Sequence, residues 1–276
     1  MAQVNRASSA RKSAVAPNKE FVIPDTPTFT VPSLESQCLY FYGEMKWGKS
    51  RFESEMRDIF ILDFEGGLGY LKTRDLRIRS WQEYLNALDQ LEKAYQAGTF
   101  KCGMWGFDTV DNAYKFCYDH VCSVLNISHP GDMSHGRGWD AIKQEWATGL
   151  ARLLGMIPSV GCCFVGHSKE ISIDLETPGI EEKVVRILPA VPKTALMPVN
   201  AVCSLIAYCG YSTKNSKVRS IKNERVFWVR PTEHVFAGGR MGEYLQNDFI
   251  PYGNGYDDFK TELQDALDEM TEDMED

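Results

Sequence analysis

The chain has 276 residues, enough for one large domain or two small ones, with 43% hydrophobic residues to form a core and 25% charged residues. No apolar stretch reaches the length of a membrane span, and the Ser- and Arg-containing N-terminus lacks the apolar centre of a secretory signal. The formal net charge is −8, but residues 261–276 (TELQDALDEMTEDMED) hold eight acids and no base, so the rest of the chain sums to zero and any affinity for a polyanion must come from local clusters.

The N-terminal segment reads as a flexible tail, with an organellar transit peptide as the weaker alternative. After it, TFTVPSLESQ is extended and leads into a short buried strand, CLYFYG. A loop and a helix, KSRFESEMRD, come next, then the strand IFILDFEGG. SWQEYLNALDQLEKAYQAG is a helix with Ser80 as N-cap, an apolar face of Trp81, Tyr84, Leu85, Leu88 and Leu91, and Gly98 at its end. CGMWGFDTV is the third buried strand and DNAYKFCYDHVCSVL another helix. The loop SHPGDMSHGRG precedes the helix WDAIKQEWATGLARLLGMI, and VGCCFVGHS is the fourth strand. EISIDLETPGIEEKVVRILP predicts a hairpin, AVCSLIAYCGYS a strand and KVRSIKNERVFWVRP a last hairpin. Short apolar strands alternating with helices predict an α/β fold with a mainly parallel sheet, helices on both faces, and antiparallel hairpins at one edge.

Eight cysteines are present without a CxxC pair. Cys102, Cys162, Cys163, Cys203 and Cys209 lie in apolar runs, which points to buried reduced thiols in a cytoplasmic protein rather than to disulfides or zinc.

Gly43-Glu44-Met45-Lys46-Trp47-Gly48-Lys49-Ser50 fits G-x-x-x-x-G-K-[ST], between a strand and a helix as the phosphate loop requires. Its glycines let backbone N–H groups converge on phosphate oxygens. Lys49 would reach the terminal phosphates of ATP, and Ser50 would offer a hydroxyl to Mg²⁺. Residues 43–50 and Arg51 make up the expected nucleotide contact, with Trp47 flanking the nucleotide or an adjoining subunit. Asp108, at the end of MWGFD, supplies the second Mg²⁺ contact. Glu65 follows the strand after the loop helix and could orient an attacking water. Asp63 is its rival on the same strand face, but Glu65 stands nearer the strand's C-terminal edge, where ligands bind in such sheets.

The ordered set GEMKWGKS, ILDFEGG and WGFDT resembles the RecA-like ATPases. Within them it is similar to compact phage-type proteins of single-strand annealing and recombination, a group often labelled AAA-domain or NTP-binding. Asp63–Gly67 and Gly136-Arg137-Gly138-Trp139 carry that likeness, which covers residues 36–250. The resemblance implies a RecA-like core over residues 36–256 between a flexible tail (1–35) and an acidic C-terminal tail (257–276). It implies that His167, in FVGHS, stands where the family places a γ-phosphate sensor, with a hydrogen-bonded strand-end histidine as the plain alternative. It also implies that Arg240, in FAGGRMG, contacts the nucleotide of a neighbouring subunit in a ring or filament; Arg230 competes for that role.

The resemblance further implies that two loops, one before and one after the strand carrying His167, would face single-stranded DNA. One offers Arg137 and Trp139, the tryptophan being equally placed to anchor its helix or to stack on a base. The other offers Lys169, Lys183, Arg186 and Lys193 among Asp174, Glu176, Glu181 and Glu182. The acidic tail could compete with DNA for a basic groove. The implied function is a DNA-stimulated ATPase in a bacterial host cytoplasm, working with single-stranded DNA, further copies of itself and a single-strand DNA-binding protein. A P-loop switch or motor with a non-nucleic-acid partner is the alternative.

Overall fold

In the computed structural model, which describes Asp25 and residues 33–174, 183–212 and 224–275, strand β1 (Leu39–Gly43) is buried on both faces. Tyr40 and Tyr42 pack into one hydrophobic cluster, Leu39 and Phe41 into another. A strand alternates its side chains, so burial on both sides requires the unbroken apolar run seen in the sequence.

The remaining elements follow in order: α1 (Lys49–Ser54), β2 (Ile59–Asp63), β3 (Asp75–Arg77), α2 (Trp81–Gln96), β4 (Met104–Asp108), α3 (Val110–Leu125) and α4 (Arg137–Met156). Then come β5 (Cys162–Asp174), β6 (Lys183–Pro189), α5 (Lys193–Val202), β7 (Leu205–Ser212), β8 (Glu224–Trp228), β9 (Phe249–Pro251) and α6 (Tyr256–Glu275). The sheet runs β3-β2-β4-β5-β1-β7-β8-β9. It is parallel from β3 to β7 and antiparallel where β8 and β9 are added, the mixed α/β architecture expected.

Helices α2 to α5 cover one face and α1 and α6 the other. Ser80 caps α2 by accepting the Glu83 amide, and α2 meets α4 closely at Gly149, where any Cβ would run into the Trp81 ring. The eight cysteines carry no disulfide; seven are buried. Among the described residues, no helix is long and apolar enough to cross a membrane.

Several elements differ from the sequence reading. The β5–β6 hairpin is not at the sheet edge. Up to His167, β5 lies between β4 and β1; from Ser168 onward it pairs only with β6, so the hairpin is an outward continuation of a central strand. The short strand β3 and helix α5 carried no clear pattern, α5 because Pro198 lies inside it. The last hairpin is built differently too: β8 pairs with β7 on one side and β9 on the other, and residues 213–223 lie outside the described residues. Most of the N-terminal segment 1–35 also lies outside them, although Leu34–Ser36 form a short 3-10 turn.

The acidic C-terminal segment is not a solvated tail. It forms α6, whose Tyr256, Phe259, Leu263, Ala266 and Leu267 recur at helical spacing and are all buried. Phe259 lies edge-on to Phe41, Phe52 and Phe227, with ring centroids 4.7–5.3 Å apart. The acids occupy the other side of the helix, where water solvates them. Deleting residues 261–276 would therefore strip the core, not merely release a competitor for DNA. Phe259→Ala should lower the unfolding free energy by about 3–5 kcal/mol, as a large cavity between aromatic rings does. A urea titration that finds less than about 1 kcal/mol would show that α6 adds little to the core.

Candidate active site

The parallel ladders of β2, β4 and β1 stop within two residues of one another along β5. Asp63 of β2 pairs with Asp108 of β4, Asp108 with Val165 of β5, and Gly43 of β1 with His167 of β5. This register places the loop after β1, the residues after β2, Asp108 and His167 along one edge of the sheet. They enclose a cleft of about 280 Å³ lined by Met45, Lys46, Gly48, Lys49, Ser50, Arg51, Glu65, Asp108 and His167.

The 43–50 loop takes two left-handed backbone positions, Lys46 (φ 65°) and Gly48 (φ 110°), as it wraps back into α1. Gly43 ends β1 flush against the backbone of Cys209, leaving no room for a Cβ. Lys49 is almost completely buried; its Nζ donates to the carbonyls of Gly43 (2.9 Å) and Glu44 (2.7 Å), closing the loop on itself. Burial pulls the Lys49 pKa below the usual lysine value, opposed by Cys209, Asp108, Glu65 and Asp111. Trp47 does not flank the cleft. It is buried, donates its Nε1–H to the Gly210 carbonyl (2.8 Å), and packs on Phe227 and Tyr252. Arg51 is exposed and pairs with Glu55 one turn on (3.3 Å).

The two carboxylates of ILDFEGG have different surroundings. Asp63 Oδ1 accepts the amides of Glu65 (2.9 Å) and Gly66 (2.5 Å) and faces Arg77 Nη1 (3.0 Å), so it holds the turn. Glu65 lines the cleft, with Oε1 3.6 Å from His167 Nε2. Asp108 is buried beside Ser50, with Oδ1 lacking any partner in the protein, and a cis peptide joins it to Thr109. A buried carboxylate oxygen without a partner next to a hydroxyl is a donor set suited to a hard cation that shares its remaining positions with phosphate and water.

His167 is held by Asp111, which sequence reasoning missed. Asp111 Oδ1 accepts the His167 amide (3.1 Å), and Oδ2 lies 2.8 Å from the ring Nδ1. The acid in the first turn of α3, three residues after Asp108, was its only signal. Two further residues had none. Arg225 of β8 donates to the Trp47 carbonyl (3.2 Å) and lies over the Tyr252 ring (3.7 Å), bracing the back of the loop. Glu53 of α1 is fully buried and accepts the Phe107 amide (3.1 Å).

Other expected site residues lie elsewhere. Arg240 is at the opposite end of the sheet: its neighbour Met241 donates to Ser204, just before β7 begins. Ser204 lies five strand residues, about 16 Å, below Cys209, the partner of Gly43, so Arg240 cannot reach the cleft of its own chain. Arg230 donates to the Leu245 carbonyl (2.5 Å) and lines a separate hollow with Gly238 and Gly239. Arg137 is exposed and bonds Ser134; Trp139 is 44% exposed, edge-on to His129 and beside Tyr118. Tyr118 is two helical turns beyond Asp111, about 10 Å along α3 from the cleft. Lys169 and Arg186 share a face of the β5–β6 ribbon, and Lys193 is exposed at the start of α5. Lys183 pairs in register with Asp174, but its side chain lies outside the described residues, as do Glu176, Glu181 and Glu182.

A glycine-bearing loop closed by a buried lysine, a hydroxyl–carboxylate pair and an acid on the next strand define a P-loop nucleotide-binding ATPase of the mostly parallel α/β class. A family model described as an AAA domain matches residues 35–241, and the chain belongs to that family. No curated protein matches the chain.

Burial pushes the Asp108 pKa up to about 6, because an ionised carboxylate loses hydration there; Ser50 and Lys49 oppose the shift, Glu65 and Asp63 add to it. The folded protein thus holds this proton more tightly than the unfolded chain. The associated stability is present below pH about 4 and lost as pH rises through about 6. Asp108→Asn should raise the melting temperature of nucleotide-free protein by a few degrees at pH 8 and by little at pH 4.5. Equal shifts at both pH values in thermal scans would refute this.

Proposed function

We propose that the protein hydrolyses ATP with Mg²⁺ and couples that turnover to single-stranded DNA, in the manner of the compact RecA-like annealing and recombination proteins it resembles. The observation that carries the hydrolytic part is the division of labour between Asp63 and Glu65: the first is consumed by the turn, leaving the second to face the cleft beside Lys49 and Asp108. Glu65 accepts a proton from, and orients, the water that attacks the terminal phosphate. Lys49 leaves its two loop carbonyls to contact the β- and γ-phosphate oxygens, and the loop amides bind the same groups. Ser50 and Asp108 would hold Mg²⁺, which would neutralise phosphate charge there. His167 senses the terminal phosphate.

The DNA part rests on exposed Arg137 and Trp139 and on the shared face of Lys169 and Arg186, with Lys183 and Lys193 as further candidates. Such a mixture of cations and an aromatic ring suits phosphate contact with base stacking. Arg240, remote from its own cleft, serves the nucleotide of a neighbouring copy in a ring or filament. A single-strand DNA-binding protein is the further partner, and the setting is the cytoplasm of a phage-infected bacterium.

Lys49→Ala should abolish binding of a fluorescent ATP analogue. Glu65→Gln should retain the analogue and lose turnover by about a hundred-fold or more. An active Glu65→Gln protein would move the base to another residue. Single-stranded DNA should stimulate wild-type turnover; turnover that ignores DNA supports instead a switch or motor with a different partner.

A further inference from the structure

His167 occupies a distinctive position: it is the last β5 residue in register with β1, and Ser168 is the first in register with β6. Its ring is fixed from one side and presented on the other. Asp111 takes both the main-chain amide and Nδ1, and the opposite nitrogen, Nε2, points into the cleft 3.6 Å from Glu65. Burial alone would raise the Asp111 pKa, but the hydrogen bonds from the His167 ring and amide hold the carboxyl below its usual range, so it is an ionised acceptor. Nδ1 therefore carries a proton.

We propose that Asp111 is a positioning residue of this ATPase: it fixes the His167 ring with Nε2 toward the cleft, where the ring holds Glu65 until the terminal phosphate of a bound nucleotide takes its place. This inference rests on the ATPase reading above. An imidazolium paired with Glu65 holds the carboxylate turned toward the ring in the nucleotide-free protein. The terminal phosphate group, more highly charged than one carboxylate, draws the same N–H and leaves Glu65 to orient water. The groups facing the ring are Asp111 from α3, Glu65 from the turn after β2, and Lys49 from α1. The Asp111 hydrogen bond raises the His167 pKa and Glu65 adds to it; burial and Lys49 oppose.

The sign follows. The imidazolium is present below the raised pKa and lost as pH rises through it, so turnover should fall on the alkaline side. Asp111→Asn removes the charge and should move that limb to lower pH. It should lower kcat about ten-fold with KM changed less than about two-fold. In a His167→Ala background, Asp111→Asn should cost nothing further, since it acts only through the ring. A uniform loss of kcat with an unmoved alkaline limb, or a loss that adds to that of His167→Ala, overturns the proposal.

One measurement needs no variant. In nucleotide-free protein with isotope-labelled histidine, the His167 ring should titrate above a free imidazole; titration at or below that value also overturns it. Absence of ATP turnover by the unaltered protein would sink the ATPase reading, a result separable from the titration, which judges the Asp111–His167 pair by itself.

Discussion

The parallel register of β2, β4, β5 and β1 is the constraint on which the site depends. Because Asp63 and Asp108 end β2 and β4 in register, and Gly43 ends β1 beside His167, two residues further along β5 than the partner of Asp108, four distant segments of sequence deliver polar groups to a single edge. Parallel strands carry their ladders internally and leave only the strand ends and following loops to bind ligands. A one-residue slip of β5 against β1 would turn His167 away from the cleft and the Tyr40–Phe164 layer out of the core. Packing of the aromatic core and placement of the chemistry are therefore the same requirement.

Charge at that edge is costly, and the site distributes the cost. Lys49, Asp108 and Asp63 are all nearly inaccessible to water. Asp63 is compensated by two amides and Arg77, and Lys49 by two loop carbonyls. Asp108 keeps one oxygen without a partner, so it carries the uncompensated share. A buried carboxylate oxygen left without a partner is the feature of this edge suited to a hard cation.

Much of the fold was legible because its signals are periodic. The buried strands, the Ser80-capped α2 and the amphipathic α3 and α4 follow from apolar spacing alone. The acids of α6 hid a helical apolar stripe, since eight carboxylates dominate a sixteen-residue window even when Leu263, Ala266 and Leu267 repeat correctly. Pro198 masked α5. At the site, the phosphate loop, Glu65 and Asp108 had local patterns, whereas Asp111 and Arg225 act through contacts made only once the sheet assembles. No local spacing encodes a residue 56 positions from its partner, as Asp111 is from His167, or 178 positions from it, as Arg225 is from Trp47. Arg240 likewise had no local signal for its place: the loop after β8 crosses to the other end of the sheet, away from the cleft of its own chain.

The antiparallel edge then has a purpose beyond widening the sheet. Trp47 ties the phosphate loop to β7 through Gly210 and rests on Phe227 of β8 and Tyr252 beyond β9. Arg225 stacks on the same Tyr252 and bonds the Trp47 carbonyl. Phe227 in turn packs on Phe259 of α6. A loop whose catalytic geometry needs left-handed turns at Lys46 and Gly48 is thus braced from behind by β8, β9 and α6. Its outer residues, Met45 and Arg51, stay exposed and line the cleft. The large aromatic in the loop, unusual where small residues would let the backbone approach phosphate, is accommodated because it points away from the ligand and into this brace.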